Sequence, residues 1–133
     1  MPDLKYKVIT EKIIGASMKV HAALGNGFQE VIYQRALEIE LKESGLEFAR
    51  EFNMPVFYKE RMIGERRVDF LVEGVISVEL KAILLLEPVH FAQARNYLEA
   101  YNLEIGLLIN FGSTSLEFKR LQNPKFKPVL KSK

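Results

Sequence analysis

The chain has 133 residues, 48% hydrophobic and 27% charged, proportions ordinary for a soluble globular protein of one domain. No apolar run approaches the ~20 residues that cross a membrane, and the N-terminal MPDLKYKVITEK lacks the apolar core of a signal peptide. Cysteine is absent, which excludes disulfides and thiolate metal sites and is compatible with a reducing cytoplasm. A net charge of +2 does not announce a nucleic-acid binder, but its distribution is uneven. Residues 119–133 hold six of the 19 basic residues and no acidic one, leaving 13 basic against 17 acidic in residues 1–118. The expectation is a single domain over residues 1–121 followed by a basic tail, 122–133, that either contacts phosphates or merely solubilises.

Residues 1–9 carry little pattern and lead into a first helix, which Thr10 caps with Glu11 in its first turn. Ile13, Ser17, Val20 and Leu24 then follow helical spacing as far as Gly25. His21 reads as a packed or partly exposed helix residue, since no second histidine or cysteine accompanies it nearby. A break at residues 25–28 precedes a second helix over residues 29–44, stopped by Gly45. Its inward stripe is Glu30, Tyr33 or Gln34, Leu37 and Leu41. The helix dipole alone favours an acid at Glu30, and Tyr33 alone reads as a core residue.

Residues 46–58 read as a strand in which Pro55 demands an edge, bulge or bend. Residues 59–61 turn it back into a second strand over 62–72, where Arg67 shares the parity of Asp69. An apolar loop, ILLLE, leads to Pro88 at the start of a third helix, 88–101. That helix carries His90, Gln93 and Tyr97 on one face and Phe91, Leu98 and Tyr101 nearer another. Residues 104–111 form a strand apolar on both faces, and 116–121 a final one. The order predicts an α/β protein whose mixed sheet contains one right-handed strand-helix-strand crossover.

The chemistry concentrates in VDFLVEGVISVELKA, residues 68–82. Val68, Phe70 and Val72, then Ile76, Val78 and Leu80, alternate as one buried face, so Asp69, Glu79 and Lys81 share the other. A two-residue turn would set Asp69 opposite Val78 and mix the faces. A three-residue loop, residues 72–74 ending in Gly74, pairs Asp69 with Ser77 and leaves Glu79 on the diagonal, about 5.5–8 Å away. Two such carboxylates repel unless a proton or cation lies between them, and oxygen ligands favour Mg²⁺ or Mn²⁺ over zinc. With Lys81 orienting water or answering negative charge, the set suits phosphodiester cleavage. Charged residues on a solvated strand face produce the same string without any chemistry.

The segment Gly27-Phe28-Gln29-Glu30-Val31-Ile32-Tyr33 reads G-x-x-E-x-x-Y, and the chain resembles the bacterial GxxExxY family of the PD-(D/E)XK nuclease superfamily. Resemblance extends over residues 9–121 and includes VELKA, HFAQARNYL and GLLINFGS. It implies a restriction-endonuclease-like core, a central mixed β-sheet flanked by α-helices, and a metal-dependent nuclease. By resemblance Asp69, Glu79 and Glu30 are metal ligands, Lys81 is the lysine of E-x-K, and Gln93 is a further catalytic residue. Tyr33 and His90 match family positions without an assigned role, and Arg67 is a possible accessory. Val68 departs from the superfamily's proline, at a position that does not ligate metal. The expected partner is nucleic acid, DNA or RNA, with a homodimer or larger complex possible. The rival expectation is a non-catalytic nucleic-acid- or protein-binding module on the same fold, with the basic tail carrying most of its affinity; a third is a structural or oligomeric partner in a larger system, with the apolar loop Ile83 to Leu86 as its contact surface.

Overall fold

Strands that are apolar on both faces need a cover on each side, and here the chain supplies two helices before the sheet and one within it. The computed structural model describes residues 6–128. Its elements are α1 (Lys7–Leu24), α2 (Glu30–Glu43), β1 (Phe48–Tyr58), β2 (Arg61–Val72), β3 (Ile76–Lys81), α3 (Pro88–Ala100), β4 (Ile105–Asn110) and β5 (Glu117–Gln122). The strands lie in sequence order in one mixed sheet, with β3 and β4 parallel through the α3 crossover and the other neighbours antiparallel. This is the α/β arrangement expected from the sequence. Helices α1 and α2 bury Ile13, Val20, Tyr33 and Leu37 against Phe70, Val78, Leu107 and Ile109. On the opposite face Ala94 and Leu98 of α3 meet Leu108 and Leu121. β4, wholly buried, lies between the two cores.

Several local expectations shift. Helix α1 begins at Lys7 behind Tyr6, so Thr10 is no cap; it is buried inside the helix and its hydroxyl donates to the Lys7 carbonyl at 3.1 Å. Residues 1–5 lie outside those described. His21 is packed as expected, with Nε2 3.0 Å from the Ser113 carbonyl oxygen. Pro55 lies on the edge strand β1. The inward stripe of α3 is Ala94, Tyr97 and Leu98, while Gln93 is exposed. Most of the tail's described part is tied down: Asn123 Nδ2 donates to the Leu98 and Leu103 carbonyls, and Asn102 exchanges two hydrogen bonds with the Lys127 main chain. Residues 129–133 lie outside those described.

The β2–β3 turn corrects the predicted register. Glu73 (φ 54°) and Gly74 (φ 68°) both take positive φ, as primed hairpin turns require, and the Val75 N–H donates to the Val72 carbonyl at 3.0 Å. Val75 then remains as the extra residue, because the ladder pairs Val72 with Ile76 and Phe70 with Val78. The loop has three residues, as predicted, but spans 73–75 rather than 72–74. Extending that ladder by one rung sets Asp69 across from Glu79 instead of Ser77.

The far end of β3 is held by a buried polar knot. Asn110 accepts from the N–H groups of Ile83 and Gly112 and donates to the Ile83 carbonyl and Glu117, all at 2.8–3.0 Å. Gly112 packs so tightly that a Cβ there would collide with the Ala82 and Ile83 main chain. Replacing the fully buried Asn110 by alanine should cost about 2–4 kcal/mol, since it strands several polar groups. A urea midpoint unchanged in Asn110→Ala would refute this role.

Candidate active site

Strand β2 has 12 residues and β3 six, yet they pair only from Phe70–Val78 to Val72–Ile76. Before Phe70, β2 stays with β1 and leaves β3. Asp69 stands at the parting. Its Oδ2 accepts the Leu80 N–H at 2.8 Å, and Oδ1 accepts from Gln34 Nε2 on α2 at 2.8 Å. Gln34 Oε1 in turn accepts from Arg50 at 3.0 Å. A guanidinium on one side and a carboxylate on the other leave the Gln34 amide one sensible orientation.

Glu79 is enclosed, its side chain only 12% exposed, and both its oxygens lie 3.1 Å from one guanidinium nitrogen of Arg66. The other terminal nitrogen of Arg66 donates to the Gln93 carbonyl at 2.8 Å, and the guanidinium lies over the Tyr97 ring, 5.3 Å from its centroid. Burial is the main cause that pushes Asp69, Glu79 and Glu30 above the usual carboxylate range. For Asp69 the bonds from Leu80 and Gln34 and the charge of Lys81 oppose the rise, while Glu51 adds to it. Arg66 and then Lys81 oppose it at Glu79, whereas Asp69 adds to it. At Glu30, Asp69 and Glu79 both add to it and Lys81 opposes it. Three acids and one lysine thus share a field.

Glu30 begins α2, exposed to solvent, and lines a cavity of about 310 Å³ with Val31, Gln34, Glu51, Arg67 and Asp69. Arg67 reaches Asn53 at 3.3 Å and Glu51 at 3.7 Å. Gln93 enters the network through its main chain. Tyr33 and His90 have structural partners: the Tyr33 hydroxyl donates to the Gly25 carbonyl at 2.6 Å and accepts the Phe28 N–H at 3.1 Å, while His90 Nδ1 accepts the Glu87 N–H at 2.9 Å and caps α3.

Gln34, Arg66 and Glu51 were not singled out as site residues by pattern. Gln34 has a weak signal, one position beyond Tyr33 on an inward stripe. Arg66 is obscured by parity, which favours its neighbour. Glu51 has no sequence signal: it takes a left-handed φ of 53° within β1, where the β1–β2 ladder omits the pair with Asp69.

Oxygen donors alone suit a hard divalent cation. Among the described residues the buried Tyr97 hydroxyl has no hydrogen-bond partner. The donors are not gathered into a finished cage, however. Among the described residues no group of three or more His, Cys, Asp or Glu side chains is arranged to hold a metal, and Arg66 takes up both Glu79 oxygens.

The family description "PD-(D/E)XK nuclease superfamily" matches residues 7–121. The chain belongs to that superfamily. Members of the PD-(D/E)XK superfamily typically use divalent metals, and the mixed sheet with its helices is the restriction-endonuclease-like core. A solved structure titled "Crystal structure of SSO0001" is similar at a TM-score of 0.56 and 17% identity, over 91% of this chain. The PD-(D/E)XK chain spans 61% of that structure's length, and the likeness speaks to the fold alone. No curated protein matches. Among the described residues no helix is long and apolar enough to cross a membrane.

Because burial raises the Asp69 pKa, the folded protein holds that proton more tightly than the unfolded chain. The resulting stabilisation is complete below the ordinary aspartate value of 3.8 and is lost as pH rises through the raised folded value. The melting temperature of metal-free wild type relative to Asp69→Asn should therefore fall as pH climbs above 3.8. A difference that stays level or grows with pH would show that the hydrogen bonds to Asp69 outweigh its burial.

Proposed function

We propose that this protein is a Mg²⁺- or Mn²⁺-dependent nuclease of the GxxExxY kind that hydrolyses phosphodiester bonds in nucleic acid. The observation that most supports it is that Asp69 binds the β3 main chain at Leu80, between Glu79 and Lys81, at the point where β2 leaves β3. Asp69 and Glu79 would hold the cation, with Glu30 reaching in from the start of α2. When bound, such a cation supplies polarisation of a phosphate oxygen and a more acidic water.

The chain's own groups have separable tasks. Asp69 is fixed by two neutral donors and keeps its charge available. Lys81 is half-buried and, among the described residues, makes no ion pair, so its ammonium is available to orient the attacking water or answer charge developing on the phosphate. The exposed Gln93 side chain, on the second turn of α3, would face the phosphate or orient Lys81 and water. Arg67 offers a phosphate contact at the cavity wall. Residues 1–121 would form the catalytic unit and 122–133 a basic appendage to it, in a bacterial cytoplasm to which a cysteine-free chain is suited.

One observation favours a rival, a non-catalytic nucleic-acid- or protein-binding module: Arg66 already neutralises Glu79. The discriminating experiment is cleavage of a DNA and RNA panel with Mg²⁺ or Mn²⁺ by wild type, Asp69→Ala and Lys81→Ala. Metal-dependent cleavage should fall by roughly 100-fold or more in both variants, with circular dichroism unchanged. Full activity in Lys81→Ala overturns the role of Lys81. A folded wild type that binds nucleic acid yet cleaves nothing with either cation favours the binding module over the nuclease.

A further inference from the structure

Arg66 lies against a carboxylate of the proposed chemistry and has no task in it. Glu79 is nearly enclosed, so its charge requires a counter-charge, and the two cations of the neighbourhood are not equivalent. Lys81 acts on Glu79 through space, whereas Arg66 lies against it, one nitrogen 3.1 Å from both carboxylate oxygens. The guanidinium is held on two further sides, by the Gln93 carbonyl at 2.8 Å and by the Tyr97 ring. Those anchors belong to α3, so Arg66 can let go of Glu79 and still be retained.

We propose that Arg66 is a latch on the metal site: its guanidinium holds the Glu79 carboxylate in the cation's absence and must release it before a divalent cation can bind. The inference rests on reading Glu79 as a metal ligand. A cation bound to either oxygen at ligand distance, about 2.0–2.6 Å, would face the guanidinium nitrogen that now lies against both. Two positive groups then compete for one buried carboxylate. Arg66 is accordingly a positioning residue that acts through Glu79, and its presence weakens the apparent affinity for metal while supporting the metal-free fold.

The test is calorimetric titration with Mn²⁺ and Mg²⁺, paired with melting temperatures, on wild type, Arg66→Met, Arg66→Gln, and each of these variants combined with Glu79→Gln. Arg66→Met should melt lower than wild type without metal, bind Mn²⁺ at least about tenfold more tightly, and show a larger metal-induced rise in melting temperature. Arg66→Gln removes the charge while keeping a donor for the Gln93 carbonyl, and should show the same gain even where Arg66→Met folds poorly. In either Glu79→Gln background the gain should vanish. Equal or weaker binding in the Arg66 variants, with wild type binding normally, overturns the latch and leaves the metal site standing. Folded wild type and variants that all ignore both cations overturn the latch and the metal reading together.

Discussion

Taking Asp69 and Glu79 out of water is the constraint to which the rest of the candidate site responds. Burial raises both acids, and the fold answers each differently. Around Asp69 it places neutral donors, a main-chain N–H and an amide. These fix the carboxylate's position without cancelling its charge. Against Glu79 it places a full positive charge on a long side chain. Removing one partner of such a pair leaves an uncompensated buried charge, so the arrangement is stable only while some cation occupies that place. One acid is preorganised, and the other is provisionally satisfied.

Period-two alternation made much of this legible. It placed Asp69, Glu79 and Lys81 on one surface, and the three-residue loop length followed from keeping the apolar face intact. Its position was one residue off, because Glu73 accepts a positive φ that glycine was expected to supply alone. The error moved the register by two, which preserves the face; a shift of one would have turned every side chain over. What stayed illegible depends on strands parting. Counted from Phe70, Arg66 belongs with the α1–α2 face, yet it reaches α3, because β3 no longer lies beside β2 at that level. Gln34 likewise reaches Asp69 through that opening, and its place on the inward stripe of α2 announces burial but not that partner.

Motif letters need not be chemical. Tyr33, the tyrosine of G-x-x-E-x-x-Y, stacks on Phe111 with centroids 4.8 Å apart and ties its hydroxyl to both sides of the α1–α2 loop. That loop ends where Glu30 begins α2, so the tyrosine fixes the base from which the acid projects. His90 works similarly at the start of α3, satisfying an N–H that the helix cannot. Sequence spacing reveals that such residues belong together, but only their partners distinguish a ligand from a strut.

The two layers of the fold meet in the hydrogen-bond network of Asp69 and Glu79, at the parting of β2 and β3. From one face α2 reaches Asp69 through Gln34; from the other, α3 holds Arg66, and through it Glu79. Lys81 closes the same strand, whose far end Asn110 and Gly112 lock in place. The backbone positions of all three motif residues are therefore tied to neighbouring elements by hydrogen bonds and close packing. Arg66 is different, since its α3 anchors survive the loss of Glu79. On the proposed reading, a response to metal would therefore begin at the Arg66 side chain, which is held by α3 as well as by Glu79.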